Sequence, residues 1–154
     1  MNTFKKILHS HFPSVYYALR DVYQFTRFRF EGSLQSVQLE NQQAQSDAEI
    51  YRIAEKWIPP HQVKSEILGL IQSIRELQPA NFVEIGTANG GTHFLIRRMC
   101  PSIRYSVAMD IDIRNKFLID RLTTTDKVDY LLGESCSPAT VRKFSRIYGG
   151  EQQG

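Results

Sequence analysis

The stretch "VEIGTANGG", Val83 to Gly91, holds the residue types and spacing best suited to chemistry in this chain. Gly86, Gly90 and Gly91 lie between a short apolar run and the start of an amphipathic one, which reads as strand, turn and helix. Glycine there lets the backbone turn tightly and lets a ligand approach the main chain. The helix that follows offers N–H groups with no partner of their own. The plainer reading is a βα turn that needs conformational freedom and nothing more. Two residues sharpen the choice of ligand. The dinucleotide fingerprint G-x-G-x-x-G needs its middle glycine so that a pyrophosphate can sit close. Gly86 and Gly91 fit the outer positions, but Ala88 occupies the middle one. Glu84 has the wrong charge to stand beside a pyrophosphate and the right one for an ammonium group. Its plainer role is a strand residue facing solvent.

Asp110 closes the next apolar run, "YSVAMD", about 20 residues beyond the glycine turn, where a ribose-binding acid is expected. A carboxylate accepts two hydrogen bonds from a vicinal diol, so an acid suits that place. Asp112 competes for the role, but it is better used as a helix N-cap. His93 falls in the first turn after the glycines and reads either as a ligand contact or, more simply, as a solvated helix position. His9, His11 and His61 have no ligand spacing with any acid, and no nucleophile triad can be assembled. Nor is an iron-binding facial triad of histidines and a carboxylate discernible. No catalytic base can be named from the sequence.

The elements that must position these residues follow from period and punctuation. Ser46 and Glu49 form an S-x-x-E capping box ahead of an apolar face at Ile50, Ile53, Ala54 and Trp57, and Pro59-Pro60 stops that helix. A second helix puts Val63, Ile67, Leu70, Ile71, Ile74 and Leu77 on one stripe before Pro79. "NFVEI", "YSVAMD" and "VDYLL" are strands. Asp112 is expected to cap a helix carrying Ile113, Phe117, Leu118 and Leu122. Ser137-Pro138 opens another, with Val141, Phe144 and Ile147 facing in and Gly149 closing it. Strand and helix alternating at this spacing imply parallel strands with right-handed crossovers, an α/β Rossmann-like fold.

"FVEIGTANGGTHFL", followed by "VAMDID" and "LLGES", resembles the class I S-adenosylmethionine-dependent methyltransferases. More narrowly it is similar to the cephalosporin hydroxylase and rhamnosyl O-methyltransferase group, over roughly residues 64–147. The resemblance implies that Glu84, Gly86, Thr87 and Gly91, with Gly90 in the same turn, hold the methionine part of the cofactor. It implies that Asp110 binds the ribose, and that Glu134 and Ser135, after the third strand, lie near the adenine. For the last two the resemblance is the whole argument. In that group a later acid-rich motif binds a divalent metal and activates the acceptor hydroxyl. The chain ends at "YGGEQQG", where a fourth strand is expected, so it reads as the amino-terminal part of a longer, apparently truncated domain; a divalent metal belongs only to a longer form.

Length and composition set outer bounds. With 154 residues, 42% hydrophobic and 23% charged, the chain suits one ordinary globular domain preceded by an extension. Residues 1–45 are that extension, helical, aromatic and basic, and lead into the polar linker-like run "SLQSVQLENQQAQSD", which crosses the boundary; residues 46–154 are the cofactor-binding part. Pro13 can open a helix there, with Val15, Leu19, Val22 and Tyr23 at helical spacing. Such a segment packs as a cap, forms a dimer contact in a homo-oligomer, or lies peripherally on a membrane surface. A net charge of +3 is too weak to argue for nucleic acid. Cys100 and Cys136 have no metal or disulfide-framework spacing, there is no signal-peptide core, and no apolar run approaches the ~20 residues of a membrane span. The resemblance implies a methyltransferase with a small-molecule acceptor, a sugar or secondary metabolite, and the cysteine usage fits the expectation of a cytoplasmic protein. The rival readings are a truncated, non-catalytic binding module and a nicotinamide-dependent oxidoreductase, the latter disfavoured by Ala88 and Glu84.

Overall fold

The computed structural model describes residues 34–123 and 127–151, together with positions 11, 12, 15, 19, 22, 23 and 26. The chain divides between residues 42 and 43 into two units. In the first, the described positions Val15, Leu19, Val22 and Tyr23 are helical, as their spacing predicts, and all four are exposed. Pro13 lies outside the described residues. The run that reads as a polar linker is helical: α1 spans Leu34–Gln43. It contains neither Gly nor Pro, and Leu, Gln and Glu are good helix formers, so polarity alone is a poor sign of a loop.

The second unit opens with α2 (Asp47–Trp57). Its capping box forms as the sequence implies, with Ser46 Oγ accepting from the Glu49 N–H at 3.3 Å and Glu49 Oε2 accepting from the Ser46 N–H at 3.0 Å. Ile50, Ile53, Ala54 and Trp57 are buried as expected, and Tyr51 joins them. The next helix, α3 (Lys64–Leu77), buries only Ile67, Ile71 and Ile74. Leu70 and Leu77 fall to the side of that narrow i, i+4, i+7 stripe and Val63 precedes the helix, so all three are exposed.

Three strands follow, β1 (Asn81–Ile85), β2 (Tyr105–Asp110) and β3 (Lys127–Leu132), paired in parallel in the order β1-β2-β3. Helix α4 (Gly91–Met99) joins β1 to β2, α5 (Lys116–Leu122) joins β2 to β3, and α6 (Pro138–Glu151) comes after β3. The side chains alternate between the two faces of the sheet. Tyr105, Val107, Met109 and Leu131 form one buried cluster, covered by Phe144, Ile147 and Tyr148 of α6. Phe82, Glu84 and Ser106 take the opposite face, where His93 of α4 meets all three. This is the Rossmann-like α/β arrangement expected from the strand and helix order.

Four details of the helices differ from expectation. The N-cap position of α5 is Asn115, not Asp112, which is taken up in the preceding turn: its N–H donates to Asp110 Oδ1 and its carboxylate accepts from Arg114 Nε. Phe117 is exposed beneath the Arg121 guanidinium, leaving Leu118, Ile119 and Leu122 as the buried face. In α6 the Ser137 cap forms, with Oγ accepting the Thr140 N–H at 3.2 Å, but Val141 is exposed and the helix runs through Gly149 to Glu151.

Arg75 fastens the two leading helices to the α/β part. Its guanidinium donates two bonds of 2.7 Å to the Asp47 carboxylate and a third, of 2.8 Å, to the Met99 carbonyl at the end of α4. Those bonds hold the Asp47 carboxyl below its ordinary range. A depressed carboxyl contributes stability that is complete above its unfolded-state pKa and lost as the pH falls through the folded-state value. Both side chains are more than a third exposed, so solvent screening limits the contribution to about 1 kcal/mol. Urea unfolding at pH 7 should therefore show Asp47→Asn less stable by up to about 1 kcal/mol, with the difference shrinking by pH 3. An unchanged difference at pH 3 would remove the ion pair from the explanation.

Candidate functional site

Because the strands are parallel, the turns after β1, β2 and β3 gather at one edge of the sheet, the edge where open α/β sheets take their ligands. The chain leaves β1 still bonded to β2. The N–H groups of Gly86 and Thr87 both donate to the Met109 carbonyl, at 2.8 and 3.2 Å. Thr87 is buried, and its hydroxyl also reaches the Met109 carbonyl at 3.4 Å, so this side chain serves the turn. The Gly90 N–H then closes the turn on the Thr87 carbonyl at 2.7 Å.

The three glycines do different work. Gly86 has φ +88°, and a Cβ placed there would meet nothing within 4 Å. It is exposed, and its backbone is the open part of the turn. Gly90 also has positive φ, +83°, but a Cβ there would lie 2.3 Å from Ile119 Cδ1. At Gly91 a Cβ would lie 2.3 Å from the Ile58 carbonyl oxygen and 2.4 Å from Pro60 N, both main chain. Close packing of α4 under the Ile58–Pro60 segment and beside α5 thus accounts for the absent side chains at 90 and 91. Of the three, only Gly86 has open space where a side chain would stand. Ala88, in the middle position, adopts φ +46°, a left-handed conformation that costs a residue with a Cβ about 1–2 kcal/mol.

Asp110 holds the turns together. One carboxylate oxygen accepts the Ala88 N–H at 2.7 Å, fixing the strained residue, and the other accepts the Asp112 N–H at 3.0 Å. Its carbonyl receives the Gly133 N–H at 3.0 Å, which brings the third turn alongside. Each carboxylate oxygen keeps acceptor capacity after one such bond, and a pair of acceptors is what the two hydroxyls of a vicinal diol require. Asn115 adds a second tie, its side-chain amide donating to the Asn89 carbonyl at 2.8 Å, while the Arg114 N–H donates to the Ala88 carbonyl at 2.9 Å. Glu134 and Ser135 lie in the third turn, both exposed, with the Glu134 carbonyl accepting the Ser137 N–H.

Glu84 does not face open solvent. Its side chain is 12% exposed, and Oε2 lies 3.1 Å from His93 Nδ1. His93, which its place in the sequence suggests is a ligand contact or a solvated helix residue, is fully buried and reaches Ser106 Oγ through Nε2 at 3.0 Å. Ser106 and Asn115 escape the sequence reading. The signal available for Ser106 was a lone hydroxyl in an otherwise apolar strand, "YSVAM". Among the described residues no group of three or more His, Cys, Asp or Glu could hold a metal ion, and no helix is long and apolar enough to cross a membrane. Cys100, buried, and Cys136, exposed, are both free thiols, and burial pushes the Cys100 thiol up.

Thermal denaturation can separate the roles of the turn residues. Gly91→Ala should lose about 1–3 kcal/mol through overpacking against main chain. Ala88→Gly, which relieves the positive φ at some cost in chain entropy, should be neutral or gain up to about 1 kcal/mol. A loss at Ala88→Gly equal to that at Gly91→Ala would contradict this account of the strain.

No curated protein and no solved structure matches the chain. A family model described as rhamnosyl O-methyltransferase/CmcI matches residues 50–153, from within α2 to beyond α6. That span contains all three strands and every turn at the sheet edge, and it shows that the chain belongs to the rhamnosyl O-methyltransferase/CmcI family of methyltransferases.

Proposed function

We propose that this chain binds S-adenosylmethionine across the carboxyl edge of its sheet and forms the donor-binding part of an O-methyltransferase for a sugar or secondary-metabolite hydroxyl. The observation that carries the proposal is the Asp110 carboxylate, tied to the Ala88 N–H beside the open backbone of Gly86. The residues present fit such a group. Asp110 accepts from the ribose diol, Gly86 leaves room beside the main chain, and Glu84 offers a carboxylate to the ammonium. Glu134 and Ser135, exposed after β3, border the adenine end in this reading.

When bound, the cofactor supplies a methyl group on a positively charged sulfur. The chain's own residues orient it, and an acceptor oxygen must be held in line with the methyl and relieved of its proton. That acceptor is a small molecule in this reading. Two free thiols support a reducing, cytoplasmic setting.

Calorimetric titration with S-adenosylhomocysteine should show saturable binding. Asp110→Asn and Glu84→Gln should each weaken it about tenfold or more, since each removes a charge-assisted contact. Stronger thermal stabilisation by NAD than by S-adenosylhomocysteine, or affinities unmoved by both substitutions, would overturn the proposal.

A further inference from the structure

Beneath α4 runs a chain of four polar side chains that the turn does not account for. Glu84 Oε2 lies 3.1 Å from His93 Nδ1, His93 Nε2 lies 3.0 Å from Ser106 Oγ, and Arg97 Nη1 lies 2.6 Å from the same hydroxyl and 3.1 Å from the Lys127 carbonyl. His93 and Ser106 are 0% exposed and Arg97 7%. Buried polar groups at these distances allow few arrangements of their protons.

The Arg97 guanidinium can only donate. Ser106 Oγ therefore accepts from the guanidinium, and its own proton must go elsewhere. Among the described residues the acceptor within reach is His93 Nε2, so that nitrogen is unprotonated. The imidazole proton then sits on Nδ1 and points at Glu84 Oε2. The opposite neutral tautomer would set the Nδ1 lone pair against a carboxylate. An imidazolium would leave the serine proton without an acceptor. Only the Nδ1–H form gives each of the bonds among these four side chains both a donor and an acceptor.

We infer that His93 and Ser106 are positioning residues for the cofactor's ammonium. They hold one oxygen of Glu84 through an N–H donor and leave the other, Oε1, to accept from the ligand. This rests on the S-adenosylmethionine reading above. The physical reason is that a glutamate side chain has three rotatable torsions, and freezing them before binding removes that entropy cost from the ligand's affinity. The polarised hydrogen bonds also let the Arg97 charge support the carboxylate across the intervening groups.

The test joins a spectroscopic signature to a conservative rescue on the full chain. Long-range 15N correlation spectra should show one imidazole protonated at Nδ1 and bare at Nε2; an Nε2–H form or an imidazolium at neutral pH overturns the inference without any substitution. In titrations with S-adenosylhomocysteine, His93→Asn, whose amide nitrogen replaces Nδ1, should bind close to wild type. His93→Gln and His93→Leu, which lose that donor, should bind about tenfold or more weakly. In a Glu84→Gln background His93→Leu should add nothing further, because its effect passes through Glu84. If His93→Leu fails to fold, the contrast between Asn and Gln decides, and equal affinities for those two overturn the inference. Wild-type binding that weakens in Glu84→Gln but not in His93→Gln refutes the role of His93 alone. A wild type that takes up no S-adenosylhomocysteine refutes the cofactor reading itself.

Discussion

Polar side chains packed between a helix and a sheet are costly to bury without partners, and the structure meets that constraint with a chain of hydrogen bonds from Glu84 through His93 and Ser106 to Arg97. The chain touches all three strands: Glu84 belongs to β1, Ser106 to β2, and the Lys127 carbonyl that also receives Arg97 opens β3. It anchors α4 to the sheet through two of that helix's own residues, His93 and Arg97. The orientation of α4 in turn fixes where its N-terminus meets the glycine turn. A buried polar network of this sort specifies one arrangement strongly when every member is satisfied, and costs stability when one is not. Apolar packing on the other face, around Val107 and Leu131, supplies burial without such directionality.

A second set of bonds operates at the sheet edge and depends on the first. Asp110 grips the Ala88 amide and, through its carbonyl, the start of the third turn, so three loops from distant parts of the chain share one anchor. Loops placed this way on a rigid sheet are where α/β proteins build ligand sites. The strain at Ala88 is held by the structure around it, since the Asp110 bond and the Arg114 N–H fix both sides of that residue.

The amino-acid sequence by itself determined the order of strands and helices from residue 46 onward, because period, caps and prolines are local signals. The Ser46–Glu49 box, the Pro59-Pro60 stop and the Ser137 cap all form where their residue types place them. The glycine turn and Asp110 were likewise legible, since both sit at fixed places relative to the strand ends. Local signals gave out where a residue's fate depends on what packs over it. Helix α1 reads as a linker because its residues are polar, and Leu70, Leu77, Phe117 and Val141 read as core because helical spacing cannot say how wide the covering surface is. Asp112 looked like a cap until the Asp110 carboxylate claimed its N–H.

Only the tertiary structure decided what the site residues touch. Three glycines that look alike in sequence divide into one with open space beside it and two pressed against protein, because Ile58, Pro60 and Ile119 arrive from segments far along the chain. His93 turned from a surface residue into the centre of a buried network because Ser106, Arg97 and Glu84 converge on it from two strands and its own helix. Spacing along a chain records which side of an element a residue occupies. Whether that side meets solvent, a ligand or another charged group is fixed by long-range contacts that no local pattern encodes.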